Sequence, residues 1–455
     1  MPWRSRQGRR SARRRRGAAG DRGVQLHPWS AHLGSRTRRV GPARTTSWSV
    51  GEGRRRTREN ASVPLLPSID EARAILLAAV TPLPTTDIAV TDALDLVLAE
   101  DVVAAHDVPV FANSAMDGFA TRAAAAGSHL RVAGESRAGA PYPGTVAEGE
   151  AVRISTGAAL PAGADGVLQL ELVDDDGDAI VLGEAVTPGR NVRDAGSDLT
   201  AGTVVLRSGT RVGPAELGVA IGAGRAAVRC AQRPRVAIVT TGDELVTAGD
   251  ALVPGQIHDT NGPTLAALAH RCGAEVAGVG HVGDDLEATR GVIAQALEAA
   301  DLVVLAGGVS VGRHDHVKPA LSDLGVRELL WRVALRPGKP TWMGERDGTL
   351  VLGLPGNPVS AYVTFLLFAR PALAALQGGD PTVPRTTAAL GTAVPRHPDR
   401  DECVRVRAAA DGTVHPTGPQ GSHVLSSLVG ATALAIVPRG EGELSAGSEV
   451  VLEPV

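Results

Sequence analysis

Residues 301–318, DLVVLAGGVSVGRHDHVK, combine the pattern of a buried strand with residue types that can bind a ligand. The apolar run at the start is typical of a strand buried on both faces of a parallel sheet. In the turn that follows, glycines allow tight bends and a close approach of a ligand to the backbone. An ordinary strand-to-helix turn with a solvated polar surface would explain this segment alone equally well. The residues concerned are Gly307, Gly308, Ser310, Gly312, Asp315 and Lys318.

Polar loops also follow three other predicted strands. In an open α/β sheet such loops converge on one rim, at the carboxyl ends of the strands, where ligands bind. Each loop has a structural alternative, since an aspartate can cap the next helix and Gly-Asn-Pro can be a simple turn. Four such loops together favour a ligand site. The three additional loops contain Thr241, Gly242, Asp243 and Glu244, then Asp284 and Asp285, then Pro355, Gly356, Asn357 and Pro358.

The residue types in these loops indicate a site that handles both a cation and an anion. Carboxylates with hydroxyls suit a hard divalent ion such as Mg²⁺, and the candidate metal ligands are Asp243, Asp284 and Asp315. Basic side chains and backbone amides suit phosphate or another oxyanion. The chain contains no HExxH, GxSxG or GxxxxGK[ST] pattern, which disfavours zinc-protease, serine-hydrolase and P-loop functions. The basic candidates are Lys318, Arg332, Arg336 and Lys339.

The elements that must position these loops alternate between strand and helix patterns from residue 235 onward. RVAIVTT, EVAGVG, DLVVLAGG and TLVLGLP read as strands, and residues 262–272, 284–300, 315–325 and 358–376 read as helices. This alternation predicts a doubly wound α/β domain, with a parallel sheet covered by helices on both faces. The segments ECVRVRA, ALAIVPR and EVVLEPV, which follow Pro381, predict a small C-terminal β-barrel.

Upstream of the α/β domain the chain reads as a mixture of helix and strand. Ser68 and Glu71 form a capping box before a helical apolar period, and a second short helix is predicted from about Thr91. Residues 131–186 are β-rich, with VLQLEL predicted as a strand, and Gly213-Pro214 predicts the start of another helix.

Composition sets broad limits on the function. A length of 455 residues corresponds to about three domains. Three widely spaced cysteines argue against a disulfide framework and favour a reducing, cytoplasmic setting. The longest apolar stretch, near residues 361–376, is interrupted by Arg370 and Pro371, which argues against a membrane span. Beyond residue 60 the chain carries 29 basic and 46 acidic residues, and nothing in this acidic body suggests nucleic-acid binding.

Residues 1–60 differ from the rest of the chain. They contain 17 arginines, no lysine and little apolar periodicity, which predicts a disordered tail, with folded structure beginning near Val63. No apolar segment follows the paired arginines, so a secretory signal is not expected. Either a nucleic-acid-binding tail or a translation start placed too far upstream would explain this composition.

From about Val63 to its end the chain resembles the MoeA family of molybdopterin molybdenumtransferases, which includes the E domain of gephyrin. The matching motifs occur in order over almost the whole body. They are NSAMDGFA (113–120), RISTGA (153–158), TGDEL (241–245), GQIHDTN (255–261), SVG within GGVSVGRHD, RPGKP (336–340), LPGNPVSA (354–361) and GPQGSHVLSS (418–427).

The resemblance implies four folded parts and a homodimer. Residues 63–110 and 188–230 would form a discontinuous α+β domain I, and residues 111–187 a β-rich domain II. Residues 231–378 would form the molybdopterin-binding α/β domain III, and residues 379–455 the β-barrel domain IV. In the family, domain III of one subunit faces the N-terminal parts of the other. No nucleic acid or membrane partner is expected, whereas other proteins of molybdenum-cofactor biosynthesis are possible partners.

The resemblance also implies the activity and the site. Family members use Mg²⁺ to insert molybdenum from molybdate into adenylylated molybdopterin, with release of AMP. By motif, Asp117 and Thr156 would be site residues from the N-terminal parts, and Asp284 and Asp315 would belong to the catalytic carboxylates. The residues expected to hold anions or to line the pocket are Arg332, Arg336, Lys339, Pro355, Pro358, Ser422 and Ser426.

One position departs from the family pattern. The segment R-x-x-G-E-D reads here as residues 193–198, with Ser197 where the family has a glutamate. One expected carboxylate is therefore missing, and Asp198 is the candidate to replace it. Three hypotheses remain: an active molybdenum-inserting enzyme, a family member that binds molybdopterin without turnover as a carrier or scaffold, and an unrelated nucleotide-binding α/β protein. The third would not explain the N-terminal and barrel motifs.

Overall fold

A computed structural model describes residues 66–310 and 315–455. The predicted Arg-rich tail, the predicted start of folding near Val63 and the predicted site residue Gly312 lie outside the described residues.

The first described helix, α1 (Ile69–Leu77), begins at the predicted capping box. The Ser68 hydroxyl accepts a hydrogen bond from the Glu71 amide at 3.3 Å, and the Glu71 carboxylate accepts one from the Ser68 amide at 2.8 Å. Although α1 opens the segment assigned to domain I, its buried residues Ile69, Ala72 and Leu76 belong to the core of the α/β domain. Helix α1 therefore belongs to the N-terminal segment in sequence but packs into the core of the α/β domain.

The segments before and after the β-rich region pair with each other. Strand Thr85–Ala89 pairs antiparallel with Ala227–Ala231, and Val102–Val103 pairs with Val204–Leu206. The 3₁₀-helix Val90–Asp92 and α2 (Pro214–Gly222) pack with these strands around one apolar core. Two stretches of chain about a hundred residues apart thus form one unit.

The intervening region forms a six-stranded sheet. The predicted strand VLQLEL ends early, at Gln169, and continues as the 3₁₀-helix Leu170–Leu172. The neighbouring strand offers no further partner, because Gly118 pairs with Gln169 at its end. The strands are Gly118–Thr121, His129–Ser136, Glu150–Ile154, Gly166–Gln169, Val173–Asp175 and Ala179–Leu182, with a separate two-stranded pair Asn113–Ser114 and Val192–Arg193.

A second six-stranded sheet is the centre of the α/β domain. Its spatial order is Glu275–Val282, Arg235–Thr241, Leu302–Ala306, Thr349–Leu354, Trp342–Arg346, Arg327–Trp331. The first four strands are parallel, as predicted. Trp342–Arg346 runs antiparallel to both of its neighbours, Thr349–Leu354 and Arg327–Trp331. Trp342–Arg346 and Arg327–Trp331 were not predicted from the sequence. Asp347-Gly348, which joins Trp342–Arg346 to Thr349–Leu354, is nevertheless a typical two-residue hairpin turn, and Arg346 pairs with Thr349 across it.

Helices cover both faces of this sheet, so the doubly wound α/β fold is confirmed. Successive strand residues such as Val303 and Val304 are fully buried in separate apolar cores on opposite faces. One core includes α1, α3 (Asn261–Arg271), α6 (Pro358–Thr364) and α7 (Arg370–Leu376). The other includes α4 (Leu286–Ala299) and α5 (Val317–Asp323).

The helix predicted over residues 358–376 is interrupted by a π-helical turn, Phe365–Ala369, between α6 and α7. Pro371 has no amide hydrogen and so cannot donate to Leu367. The carbonyl oxygen of Leu367 instead accepts a hydrogen bond from Nε of Arg73 in α1 at 3.0 Å. This stretch is long and apolar enough to cross a membrane, but 78% of its apolar window is buried inside the protein, which identifies it as a core helix.

The C-terminal region is β-rich. Its main sheet contains Asp401–Ala408, Val414–Pro416, Ala433–Val437, Glu449–Pro454 and Thr386–Ala389, and a second pair joins Val394–Pro395 to Glu443–Leu444. The short strand Leu335–Arg336 lies between Arg327–Trp331 and Trp342–Arg346 in the chain. It pairs with Asp401 and Glu402 and adds an edge strand to the main sheet of the C-terminal region. The α/β domain and the barrel are therefore joined by main-chain hydrogen bonding.

Candidate active site

A cavity of about 880 Å³ lies at the carboxyl ends of the parallel strands. All four predicted loops contribute to its wall, which confirms that they converge. The predicted residues that line it are Thr241, Gly242, Asp284, Gly307, Gly308, Ser310, Asp315, Pro355, Gly356, Asn357 and Pro358.

The glycine-rich turn is packed too tightly for any larger residue. Gly307 and Gly308 adopt φ angles of 103° and 65°. A Cβ atom on Gly307 would lie 2.6 Å from Oγ1 of Thr241 and 2.9 Å from the Thr241 carbonyl oxygen. Glycine therefore lets the third strand's loop lie directly against the loop of the first.

The three aspartates at the first two loops have different roles. Asp285 is the N-cap of α4, and its side chain accepts a hydrogen bond from the Ala288 amide at 2.7 Å. The Asp243 carboxylate accepts one from the Asp284 amide at 2.9 Å, which ties the two loops together. Asp284 lines the cavity, whereas Asp243 is not among the lining residues. The capping alternative thus holds for Asp285, whereas Asp284 lines the cavity and stays a predicted site residue.

The predicted three-carboxylate metal site does not assemble as such. Among residues 66–310 and 315–455, no group of three or more histidine, cysteine, aspartate or glutamate side chains is arranged to hold a metal ion. Asp284 and Asp315 both line the cavity. These two carboxylates could supply part of a ligand set that bound oxygen atoms would complete.

The Gly-Asn-Pro loop is held from two sides. The side-chain amide of Asn261 donates to the Gly356 carbonyl oxygen at 2.7 Å. The side-chain amide of Asn357 donates to Oγ of Ser422 in the barrel at 3.0 Å, and the Ser422 carbonyl oxygen accepts from the Val359 amide at 3.1 Å. The N-cap residue Asn357 makes no side-chain hydrogen bond to the start of α6. The barrel thereby supplies the acceptor for an amide in the first turn of this helix.

Sequence reasoning missed the contribution of the GQIHDTN segment and of the barrel loop. Ile257–His258 forms a short parallel pair with Leu245–Val246, and this pairing brings the segment to the cavity. The motif itself was noted, but none of its residues was assigned to the site. From the barrel, His423 and Leu425 line the cavity in place of the predicted Ser422 and Ser426. The missed lining residues include His258, Asp259, Asn261, Pro340, His423 and Leu425, whereas Glu244, which also lines the cavity, was named in the first predicted loop.

A buried arginine holds the barrel loop that carries His423. Arg405 is fully buried, and its guanidinium donates to the carbonyl oxygens of Pro419 and Gly421 at 3.4 and 3.3 Å. Its Nε donates to Oγ of Ser427 at 3.2 Å. A buried charge with this many acceptors fixes the loop in one conformation. Arg405 and Arg407 alternate with valines in the same strand pattern, and nothing in the sequence marked Arg405 for this role.

The predicted basic residues lie outside the cavity wall. Lys318 Nζ and Arg332 Cζ lie 3.4 and 4.1 Å from the centroid of the Trp331 ring, which is cation–π geometry. Burial lowers the pKa of Lys318, and the nearby carboxylates of Asp315 and Glu328 oppose that shift. The basic group thus flanks the site next to Asp315.

Arg336 and Lys339 lie at the seam between the α/β domain and the barrel. Arg336 forms an ion pair at 3.4 Å with Glu402, whose side chain is buried. Burial raises the pKa of Glu402, although Arg336 lowers it. Both Arg336 and Lys339 are exposed. The ion pair leaves part of the Arg336 guanidinium in contact with solvent.

Comparison with known proteins agrees with this geometry. The family model described as the MoeA N-terminal region (domain I and II) matches residues 67–224. The model described as a probable molybdopterin binding domain matches residues 237–375, and the MoeA C-terminal region (domain IV) matches residues 387–455. The chain belongs to the MoeA family.

Relatives match this MoeA chain over most of its length. A molybdopterin molybdenumtransferase of Haemophilus influenzae is 36% identical over 398 residues, which cover 85% of this chain and 98% of the relative. Molybdopterin molybdenumtransferase 2 of Mycobacterium tuberculosis is 39% identical over 378 residues, covering 79% and 92%. The crystal structure of the molybdopterin biosynthesis MoeA protein from Pyrococcus horikoshii OT3 aligns with a TM-score of 0.73 at 29% identity, covering 86% of this chain and all of that one.

The N-terminal candidates of the MoeA resemblance lie apart from the cavity. The Asp117 carboxylate accepts a hydrogen bond from the Thr156 amide at 2.8 Å, so these two predicted residues are adjacent. Asp198 is exposed, and its amide donates to the Val108 carbonyl oxygen at 2.9 Å. None of the three is among the residues that line the cavity.

Proposed function

We propose that this protein inserts molybdenum from molybdate into adenylylated molybdopterin and releases AMP. The observation that carries the proposal is a cavity whose wall combines the Asp284 and Asp315 carboxylates with the closely packed loop of Gly307 and Gly308. The Gly307 amide already donates to the Leu354 carbonyl oxygen, but the other amides of this loop can bind phosphate oxygens. The carboxylates can hold a cation that offsets the charge on the pyrophosphate linkage, which must break to release AMP. The names of the relatives, molybdopterin molybdenumtransferase, support the same substrate.

Mg²⁺ is the proposed metal, held by Asp284 and Asp315. Two carboxylates that line one cavity offer the hard oxygen ligands that Mg²⁺ prefers, and this ion commonly takes its remaining ligands from substrate phosphates and water. When bound, it would polarise a phosphoryl oxygen and offset negative charge. Asp243 is proposed to position the loop that carries Asp284, because its carboxylate accepts a hydrogen bond from the Asp284 amide.

The basic residues are proposed to retain the anionic substrates. Arg332, beside Lys318 on Trp331, and the exposed Arg336 and Lys339 at the domain seam provide positive charge around a cavity whose own carboxylates would repel molybdate. The proposed setting is cytoplasmic. The four-part division predicted from the resemblance is proposed as the domain organisation.

A homodimer is proposed as the working form, with Asp117, Thr156 and Asp198 completing the cavity of the partner subunit. Ser426, next to the lining residue Leu425, is proposed to border the cavity of its own subunit. Two groups of exposed apolar side chains support an interface. The first group is close to Asp117 and contains Phe111, Met116 and Leu170, whose amide donates to the Asp117 carbonyl oxygen. The second group, Val253 and Ile257, lies on the segment that borders the cavity. Burying such side chains between subunits would be favourable.

Release of AMP from adenylylated molybdopterin, with and without molybdate and Mg²⁺, tests the activity. Asp284→Asn and Asp315→Asn should each abolish turnover while the fold and substrate binding persist. Asp285→Asn is the matched control, since asparagine caps a helix as well as aspartate does, and it should keep wild-type turnover. Near-normal AMP release by both cavity variants would refute the assignment.

The dimer has its own test. Asp117→Asn and Asp284→Asn should each be inactive alone, and a mixture of the two refolded together should recover turnover, because a mixed dimer contains one intact composite site. A mixture that stays inactive although mixed dimers form would contradict sharing of the site between subunits.

A carrier or scaffold that binds molybdopterin without turnover is the second candidate, and Ser197 favours it. The family pattern has a glutamate here, and Ser197 is exposed with no negative charge to offer.

Ser197→Glu should lower the Mg²⁺ concentration needed for half-maximal AMP release, because cation affinity rises with ligand charge. If Ser197→Glu needs more Mg²⁺ and Asp198→Ala is inactive, then Asp198 has already taken over the role. Tight binding without AMP release by the wild type would select the carrier.

A further inference from the structure

Asn261 is a buried polar residue in the cavity wall whose side chain serves another loop. It is 8% exposed and is the first residue of α3. Its side-chain amide does not cap this helix but donates to the Gly356 carbonyl oxygen, 95 residues further along the chain, at 2.7 Å. A short hydrogen bond between two loops of one cavity fixes their separation.

The start of α3, from which Asn261 extends, is itself anchored to the central sheet. Oγ1 of Thr240, in the first parallel strand, donates to the Asp259 carboxylate at 2.8 Å. The same carboxylate accepts the Gly262 amide at 3.0 Å. Because Thr240 is fully buried in the sheet, Asn261 starts from a rigid support.

The loop that Asn261 holds lies against the glycine-rich turn. The nearest non-adjacent atom to a Cβ placed on Gly356 would be Cα of Gly307, at 3.6 Å. The Gly307 amide in turn donates to the Leu354 carbonyl oxygen at 3.0 Å, at the start of the same loop. The position of Gly356 therefore sets the distance between two walls of the cavity.

We propose that Asn261 is a positioning residue, which fixes the loop of residues 355–358 against the glycine-rich turn so that the cavity keeps the width its substrate needs. This inference rests on the proposed function of the cavity. Loss of the Asn261 hydrogen bond lets the loop move and weakens substrate binding, while Asp284 and Asp315, on other loops, keep their positions. The effect should therefore fall on KM and Kd rather than on kcat.

Asn261→Asp and Asn261→Ala test the proposal in the full-length protein. Each should raise Kd for adenylylated molybdopterin about 10-fold, equivalent to about 1.4 kcal/mol, with kcat within about twofold of wild type. In the ligand-free protein, hydrogen exchange of the amides in residues 354–361 should accelerate. The two variants differ in charge, so a shared result excludes an effect of the added carboxylate alone.

Gln377→Glu is the matched control. Gln377 is also buried, and its side-chain amide also donates to a main-chain carbonyl oxygen, that of Leu373 at 3.0 Å, at the end of α7. It should lower the unfolding temperature without changing Kd or exchange in residues 354–361. Unchanged Kd and exchange in both Asn261 variants, or the same changes in Gln377→Glu, would overturn the proposal. A wild type that releases no AMP would contradict the proposed function instead, and the exchange comparison would still test the loop.

Discussion

Replacing Glu453 by glutamine should destabilise the junction between α1 and the barrel. Glu453 is fully buried, and its carboxylate accepts hydrogen bonds from Arg73 at 3.0 and 3.1 Å and from Arg385 at 2.8 and 2.9 Å. Arg385 also donates to Asp70 in α1. These hydrogen bonds raise the pKa of Arg385, the largest contribution coming from Asp70, and lower the pKa of Asp70.

The size of the effect follows from what each arginine loses. Removing one partner of a buried ion pair costs about 3–5 kcal/mol, because it leaves an uncompensated charge. Both arginines would face a neutral amide but would keep an ion pair with Asp70, at 3.3 Å for Arg73 and 2.6 Å for Arg385. The Arg73 side chain is 11% exposed, and that of Arg385 is 38% exposed. We therefore expect the lower end of that range, about 3 kcal/mol for Glu453→Gln.

Urea unfolding followed by tryptophan fluorescence is the assay. With an m-value of about 3 kcal/mol/M, the first transition should move about 1 M lower. Asp87→Asn breaks the exposed pair of Asp87 with Arg229 at 3.0 Å and should leave the midpoint unchanged. A Glu453→Gln midpoint equal to that of the wild type would refute the claim that this network holds α1 to the barrel.

Three further outcomes are expected. A chain that starts at residue 66 should keep the urea midpoint and the AMP release of the wild type. A chain that starts at residue 81 lacks α1, which exposes part of the α/β core, and should unfold at a lower urea concentration. Equal urea midpoints for the two chains would contradict this expectation. Asn357→Ala and Ser422→Ala should be non-additive in a double-mutant cycle by about 1 kcal/mol, measured by urea unfolding, because each removes the same hydrogen bond. Gly307→Ala should weaken binding of adenylylated molybdopterin by calorimetry, since its Cβ would meet Thr241, and unchanged affinity would show that the turn can relax.

Periodicity in the sequence predicted the central strands well, because a strand buried on both faces needs an unbroken apolar run. RVAIVTT coincides with the strand Arg235–Thr241, and TLVLGL with Thr349–Leu354. Polar loops after parallel strands must share one rim, so the convergence of the four loops also followed from local pattern. The capping box at Ser68 was local chemistry and was confirmed in the same way.

Partners distant in sequence escaped these arguments. Whether an aspartate lines the cavity or braces a loop depends on where the next loop lies, so Asp243 and Asp284 could not be told apart from their spacing. Asn261 and Arg405 belong to the site through carbonyl groups on other loops, and main-chain acceptors leave no mark in a sequence.

The sequence alone thus determined the elements of the α/β domain, the loops that form its rim and, through motifs in order, the MoeA resemblance. Short-range forces, namely backbone preferences and the burial of alternate or continuous apolar positions, are sufficient for these. Only the tertiary structure decided that α1 joins the α/β core, that the barrel loop satisfies the first turn of α6, and that Asp117 and Thr156 lie outside the cavity wall. Each of these depends on contacts between segments tens to hundreds of residues apart, whose geometry is fixed only when the whole chain packs.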